Sequence, residues 1–123
     1  MKLYESAEDY LETILMLTER NGVVHAVDIA REMKFTKASV SVAMHKLEDS
    51  GYIAIKSNGE IILTEEGYKI ATSVYERHVI LTDVLVSIGV SKEQAEIDAC
   101  KVEHDISKET FDAIKRVHSK ARK

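Results

Sequence analysis

A chain of 123 residues has room for one globular domain or for two very small ones sharing a core. With 45% hydrophobic and 31% charged residues it is not a disordered polymer, and no run reaches the ~20 apolar residues of a membrane span. The first residues lack the apolar centre of a signal peptide, and the lone cysteine, Cys100, cannot close an intramolecular disulfide, so a cytoplasmic location without membrane contact is expected.

The net charge of −4 argues against a surface that binds nucleic acid throughout, but the charges are segregated. Between positions 31 and 46, Arg31, Lys34, Lys37 and Lys46 face one acid, Glu32, a local charge of +3; acids gather instead near positions 5–12 and 93–112. A basic middle between acidic ends implies two tasks in one chain.

Taken in chain order, Ser6 and Asp9 mark a helix start, Ser6 as the cap, and Tyr10, Leu11, Ile14, Leu15 and Leu17 follow at helical spacing until Asn21-Gly22. A second helix is predicted over 26–33 on the apolar set Val27, Ile29, Ala30 and Met33, followed by a tight turn at Lys34, Phe35 and Thr36. The third, over about 37–50, buries Val40, Met44 and Leu47, and Gly51 stops it. The period then changes to that of strands, with 52–55 and 60–63 flanking Asn58-Gly59, a two-residue hairpin signal. Thr64 caps a long helix reaching about position 87, along which lie Ile70, Val74, Val79, Leu81 and Leu85. Gly89 breaks it, Ser91 caps a fifth helix to about 105, and Ser107 caps a sixth carrying Phe111, Ile114 and Val117.

Helix, short helix, tight turn, helix and hairpin is the order of a winged helix-turn-helix, in which the helix after the turn projects into a DNA major groove. The candidate DNA contacts are Thr36, Lys37, Ser39 and Ser41 at the start of that helix, His45 and Lys46 further along, and Lys56 in the wing. Helix spacing alone favours an amphipathic pair with a solvated basic face; the hairpin directly after the third helix and the local charge inversion reverse that in favour of DNA.

Cys100, Glu103 and His104 stand at i, i+3 and i+4, placing a thiolate, a carboxylate and an imidazole on one face of the fifth helix. That set suits a first-row divalent metal and leaves coordination open. Asp9 and Glu12 on the first helix and His78 on the fourth are further donors. Each has an ordinary structural alternative: acids complementing a helix dipole for Asp9 and Glu12, a hydrogen-bonded core histidine for His78, a buried filler for Cys100.

Around these residues the sequence resembles the diphtheria-toxin-repressor family, in particular its short manganese-transport-regulator branch. The matching text includes Ser-Ala-Glu-Asp-Tyr-Leu-Glu-Thr-Ile (6–14), Asp-Ile-Ala (28–30), Ala-Ser-Val-Ser (38–41), Lys-Leu-Glu-Asp-Ser-Gly (46–51), Ile-Leu-Thr-Glu-Glu-Gly (62–67), Arg-His (77–78) and Asp-Ala-Cys-Lys-Val-Glu-His-Asp-Ile-Ser (98–107). The resemblance implies a homodimer with metal bound between an N-terminal winged-helix domain and a C-terminal helical dimerisation domain, and metal-dependent binding to palindromic operators of metal-uptake genes. Asp9, Glu12, His78, Glu103 and His104 fall on the ligand positions of a site for two adjacent metals in the manganese branch. Cys100 departs from that pattern: glutamate is usual there, and cysteine belongs to the iron branch, which in turn tends to have methionine at the position of Asp9. Glu96 and Thr82 stand where the iron branch has the His and Glu of an ancillary site. The longer iron-sensing members carry a third, SH3-like domain, for which this chain is too short.

The expected architecture is mainly α: a winged helix-turn-helix of three helices plus a β-hairpin wing over 1–63, then a helical metal-binding and dimerisation domain over 64–123. The apolar residues Val102, Ile106, Phe111 and Ile114 exceed what one thin three-helix unit buries against itself, which also points to a homodimer. The expected function is repression of metal-uptake genes by a regulator that binds double-stranded DNA when charged with Mn²⁺ or Fe²⁺, Zn²⁺ and Co²⁺ serving in vitro. The rivals are a winged-helix sensor of an organic ligand and a small metalloenzyme; the latter needs a cleft, an acid/base pair and an oxyanion donor, and none stands out, so no enzymatic activity is expected.

Overall fold

The computed structural model describes residues 5–121. Their elements run α1 (Glu5–Asn21), α2 (Ala26–Met33), α3 (Lys37–Asp49), β1 (Ile53–Ile55), β2 (Ile61–Leu63), α4 (Glu65–Ser87), α5 (Lys92–Val102) and α6 (Lys108–Ala121). They fall into two units, one through Thr72 and one from Ser73, with the division inside α4. This is the mainly α, winged arrangement expected. No helix among the described residues is long and apolar enough to cross a membrane.

In the first unit, Leu11, Ile14, Leu15 and Leu17 of α1 are buried with Ile29 and Ala30 of α2, Val40, Met44 and Leu47 of α3, and Ile53 and Ile61 of the hairpin. Ser6 is not the cap of α1, because Glu5 and Ser6 already lie within the helix. Of the apolar set of α2, Ile29 and Ala30 are buried and Met33 packs against the core in part, whereas Val27 is 44% exposed.

The turn between α2 and α3 is made by Lys34, whose φ of 60° is left-handed, and by the Phe35 N–H donating to the Ala30 carbonyl at 3.0 Å. Thr36 then caps α3, its hydroxyl oxygen accepting from the Ser39 N–H at 3.1 Å. At the far end Gly51 takes φ 87°, and the Tyr52 N–H reaches back to the Leu47 carbonyl at 3.0 Å, a Schellman ending. Glu48 on α3 also accepts from the Ile55 N–H at 3.0 Å, which fixes the first wing strand to the helix.

The strands pair antiparallel, Ile53 opposite Leu63 and Ile55 opposite Ile61. The connection differs from the two-residue turn expected. Lys56 N–H donates to Glu60 O and Gly59 N–H to Lys56 O, both at 2.8 Å, so Ser57 and Asn58 form the turn and Gly59, at φ 89°, is the left-handed residue after it. The Asn-Gly pair thus specifies a hairpin but not its loop length.

Thr64 caps α4, accepting from the Gly67 N–H at 3.2 Å while its own O–H donates to the Gly51 carbonyl at 2.7 Å. Gly67 is obligatory by close approach: a Cβ there would meet the Tyr52 carbonyl oxygen at 1.9 Å.

In the second unit Ile80 and Leu81 of α4, Ala95 and Ala99 of α5, and Phe111 of α6 are buried. Ser91 caps α5 by accepting from the Gln94 N–H (3.3 Å), and Ser107 caps α6 by accepting from the Thr110 N–H (3.1 Å). Ion pairs join α4 to α6: Glu76 to Lys115, and Asp83 to His118, each at 3.0 Å. Of the apolar residues along α4 and α6, Val79 and Val117 are 36% and 67% exposed, on helix faces that no other described part of the chain covers fully.

Candidate metal centre and nucleic-acid interface

The acidic, thiol and imidazole donors of the second unit converge where α5 ends. The expectation of a helix running to about 105 is corrected: α5 stops at Val102, Glu103 is its C-cap with φ −58° and ψ −25°, and His104 lies in the turn beyond. Helical spacing carries Cys100 to Glu103, and the turn then brings His104 round. A Cys100 Sγ, a Glu103 carboxylate oxygen and a His104 ring nitrogen lie within 4.8 Å of one another.

Glu103 is the centre of this group. Its side chain is fully buried, with Oε2 3.0 Å from His78 Nδ1 on α4 and Oε1 3.4 Å from His104 Nε2. The second approach has an ion-pair distance without hydrogen-bond geometry, and among the described residues no hydrogen bond reaches Oε1. A buried carboxylate oxygen left this way is costly unless a cation faces it. Sulfur, carboxylate and imidazole donors are of the kinds that bind a divalent transition metal, and Cys100, Glu103 and His104 belong to one group of such donors while His78 and Glu103 belong to a second.

Arg77, to which the sequence alone assigns no role, supports the turn that carries two of these donors. Its Nη1 donates to the carbonyls of Glu103 (3.1 Å) and Ile106 (3.3 Å), and its guanidinium lies 5.1 Å from the Phe111 ring centroid. Its partners are 26 and 29 residues away, so no local pattern announces them.

Asp9 and Glu12 lie on α1 in the first unit, one helical turn apart; Glu12 is buried and Asp9 half-buried. Of the ancillary positions, Thr82 is buried and Glu96 is exposed on α5.

Most of the candidate DNA contacts lie on α3. Lys37, Ser39, His45 and Lys46 are exposed, Ser41 is half-buried, and Thr36 is exposed while its O–H donates to Ser39 Oγ at 2.8 Å. In the wing, Lys56 Nζ lies 3.3 Å from Glu60 Oε1, so its charge is partly met within the hairpin. Val42, which is absent from the residues expected at this surface, is 57% exposed in the middle of the face. The exposed positions 38, 42, 45 and 49 recur at helical spacing, a pattern visible in the sequence once the buried set is assigned.

Residues 2–60 match the family model described as iron dependent repressor, N-terminal DNA binding domain, and residues 64–122 match iron dependent repressor, metal binding and dimerisation domain. The chain is 37% identical over 112 residues to the HTH-type transcriptional regulator MntR of Shouchella clausii, covering 91% of this chain and 76% of that protein. It is 35% identical over 111 residues to the transcriptional regulator MntR of Escherichia coli, covering 90% of this chain and 72% of that one. A solved structure of a manganese-dependent transcriptional repressor in complex with manganese superposes with a TM-score of 0.84 at 24% identity. That superposition covers 92% of this chain, which spans about half (52%) of the other. The chain belongs to the iron-dependent repressor family of dimeric, metal-dependent DNA-binding regulators, which are not enzymes, and within it to the manganese-regulator-like branch.

Proposed function

We propose that this chain represses metal-uptake genes when loaded with Mn²⁺ or Fe²⁺, residues 1–63 binding DNA and residues 64–123 binding metal and dimerising. The observation that carries the proposal is the buried Glu103 carboxylate set among His78, Cys100 and His104. Asp9 and Glu12 complete the donor set in this account, so that six residues, Asp9, Glu12, His78, Cys100, Glu103 and His104, hold the metal. The relatives named as MntR support Mn²⁺; the Cys100 thiolate extends the accessible ions to Fe²⁺, Co²⁺ and Zn²⁺.

Asp9, Glu12 and Glu103 repel one another for as long as no cation is shared. When bound, the divalent ion supplies the positive charge that removes this repulsion. α1 packs on α2 and on β2, so restraining α1 restrains the frame that presents α3. In a homodimer, two α3 helices then match half-sites of a palindromic operator about one DNA turn, ~34–36 Å, apart. The shift extends only as far as the ion's differential affinity for the two arrangements. Tyr75, Val79 and Val86 lie exposed along one face of α4, and these supply an apolar surface for the partner subunit. A protein that acts on operator DNA works in the cytoplasm.

Selection from a randomised duplex library, run with Mn²⁺ and with chelator, tests this. The expected result is a palindrome enriched only with Mn²⁺. Equal enrichment in chelator, or none in either, contradicts it.

A further inference from the structure

We infer that Val42 reads thymine methyl groups, so that this chain recognises its operator largely by apolar contact in the major groove. The inference rests on the DNA-binding role proposed above for α3.

The helix α3, Lys-Ala-Ser-Val-Ser-Val-Ala-Met-His-Lys-Leu-Glu-Asp, contains no Arg, Asn or Gln. Arg pairs bidentately with guanine, and Asn and Gln with adenine. Lys37 and Lys46 are the only lysines on the helix, near its two ends, where phosphates flank a groove. Between them the exposed face presents a methyl at Ala38, a hydroxyl at Ser39, an isopropyl group at Val42 and an imidazole at His45.

Val42 is 57% exposed, and scattered surface valines are common. Two further observations single it out. Valine is a poor choice for an exposed helical position, where its β-branch costs rotamer freedom and packing does not require it. It also stands one turn after Ala38 and one turn before Lys46, inside the half of the helix that enters a groove first and between two cations complementary to the duplex. An isopropyl group flanked in this way is chemically matched to the C5-methyl of thymine, the one apolar group that a base pair shows in the major groove.

The test uses the Mn²⁺-loaded full chain and the duplex recovered by selection, with single thymines replaced by uracil, which removes only the C5-methyl. Replacing the symmetry-related pair of thymines facing Val42 is expected to weaken binding about four-fold per methyl. In Val42→Ala the uracil and thymine duplexes are expected to bind equally, with affinity for non-specific duplex unchanged. Val42→Gln is expected to redirect selection toward adenine at that position. An operator whose affinity is indifferent to uracil at every thymine, or a Val42→Ala protein that keeps the wild-type thymine preference, overturns the inference while leaving metal-dependent DNA binding intact. Failure to select any sequence removes the role of α3 as well, and the two failures are thereby distinguished.

Discussion

Oε2 of the buried Glu103 lies 3.0 Å from Nδ1 of His78, across 25 residues of sequence. A carboxylate in that position is a liability in the metal-free chain and an asset in the loaded one. Glu103→Gln keeps the shape and removes the charge. The metal-free variant is expected to melt no lower than metal-free wild type. Mn²⁺ at 100 times its dissociation constant is expected to stabilise wild type by about 2.7 kcal/mol, a rise on the order of 10 °C, and to leave the variant unmoved. Thermal melts followed by circular dichroism decide it; a variant destabilised by about 3 kcal/mol that still responds to Mn²⁺ would argue for a structural ion pair instead.

Arg77 holds the turn bearing Glu103 and His104 through two carbonyl oxygens. Arg77→Lys keeps a cation but gives up the planar fork. Metal affinity, measured by competition with a chelating dye, is expected to fall about 10–100-fold, as it does when groups supporting metal ligands are removed. Saturating Mn²⁺ is expected to restore DNA affinity. An unchanged metal affinity would mean that the turn is held by other means.

By the resemblance set out above, Cys100 stands where the manganese branch usually has glutamate. If its sulfur ligates metal it does so as thiolate, because ligation lowers the thiol's pKa. The Co²⁺ complex should then show a near-ultraviolet sulfur-to-metal charge-transfer band that disappears in Cys100→Ser. Cys100→Glu is expected to move selectivity toward Mn²⁺ and away from Zn²⁺ and Co²⁺. A band absent from the loaded wild type, or persisting in the serine variant, would assign the metal to oxygen and nitrogen donors alone.

The two ends of the proposed DNA surface differ in how free their charges are. Lys37 and Lys46 are exposed on α3, whereas Lys56 is paired with Glu60 within the wing. Replacing Lys37 and Lys46 together by Ala is expected to weaken binding to all sequences and to reduce the salt slope by about 1 for each phosphate that is no longer neutralised. Lys56→Ala is expected to change the slope by less. Affinities measured between low and moderate salt test both, and an unaltered slope in the folded double variant would move the DNA surface off α3.

How far the sequence reveals these features depends on how local their causes are. Thr64, Ser91 and Ser107 are legible as caps because each bonds an N–H three residues on. Ser6 is misleading, since the same residue types also occur inside a first turn. The hairpin is legible from the change of period, but its loop length is not, because Gly59 serves either as a turn residue or as the left-handed residue after a turn. At the candidate metal centre, the spacing of Cys100, Glu103 and His104 reports proximity whether or not the helix continues, so the end of α5 at Val102 is hidden. The role of Arg77 is invisible because its partners are distant carbonyls, and the one inferred for Val42 is invisible because an exposed valine announces nothing until the buried face of α3 is known.

Fluorescence anisotropy of the selected operator, titrated with the chain at fixed free concentrations of Mn²⁺, Fe²⁺, Co²⁺ and Zn²⁺ and in chelator, tests the central claim most directly. The expected result is operator affinity that rises at least 100-fold from chelator to saturating Mn²⁺, corresponding to a coupling of about 2.7 kcal/mol. By reciprocity, the operator then tightens metal binding by the same factor. Operator affinity that is equal in chelator and in every metal would contradict the account, because a ligand without preference between two states shifts neither.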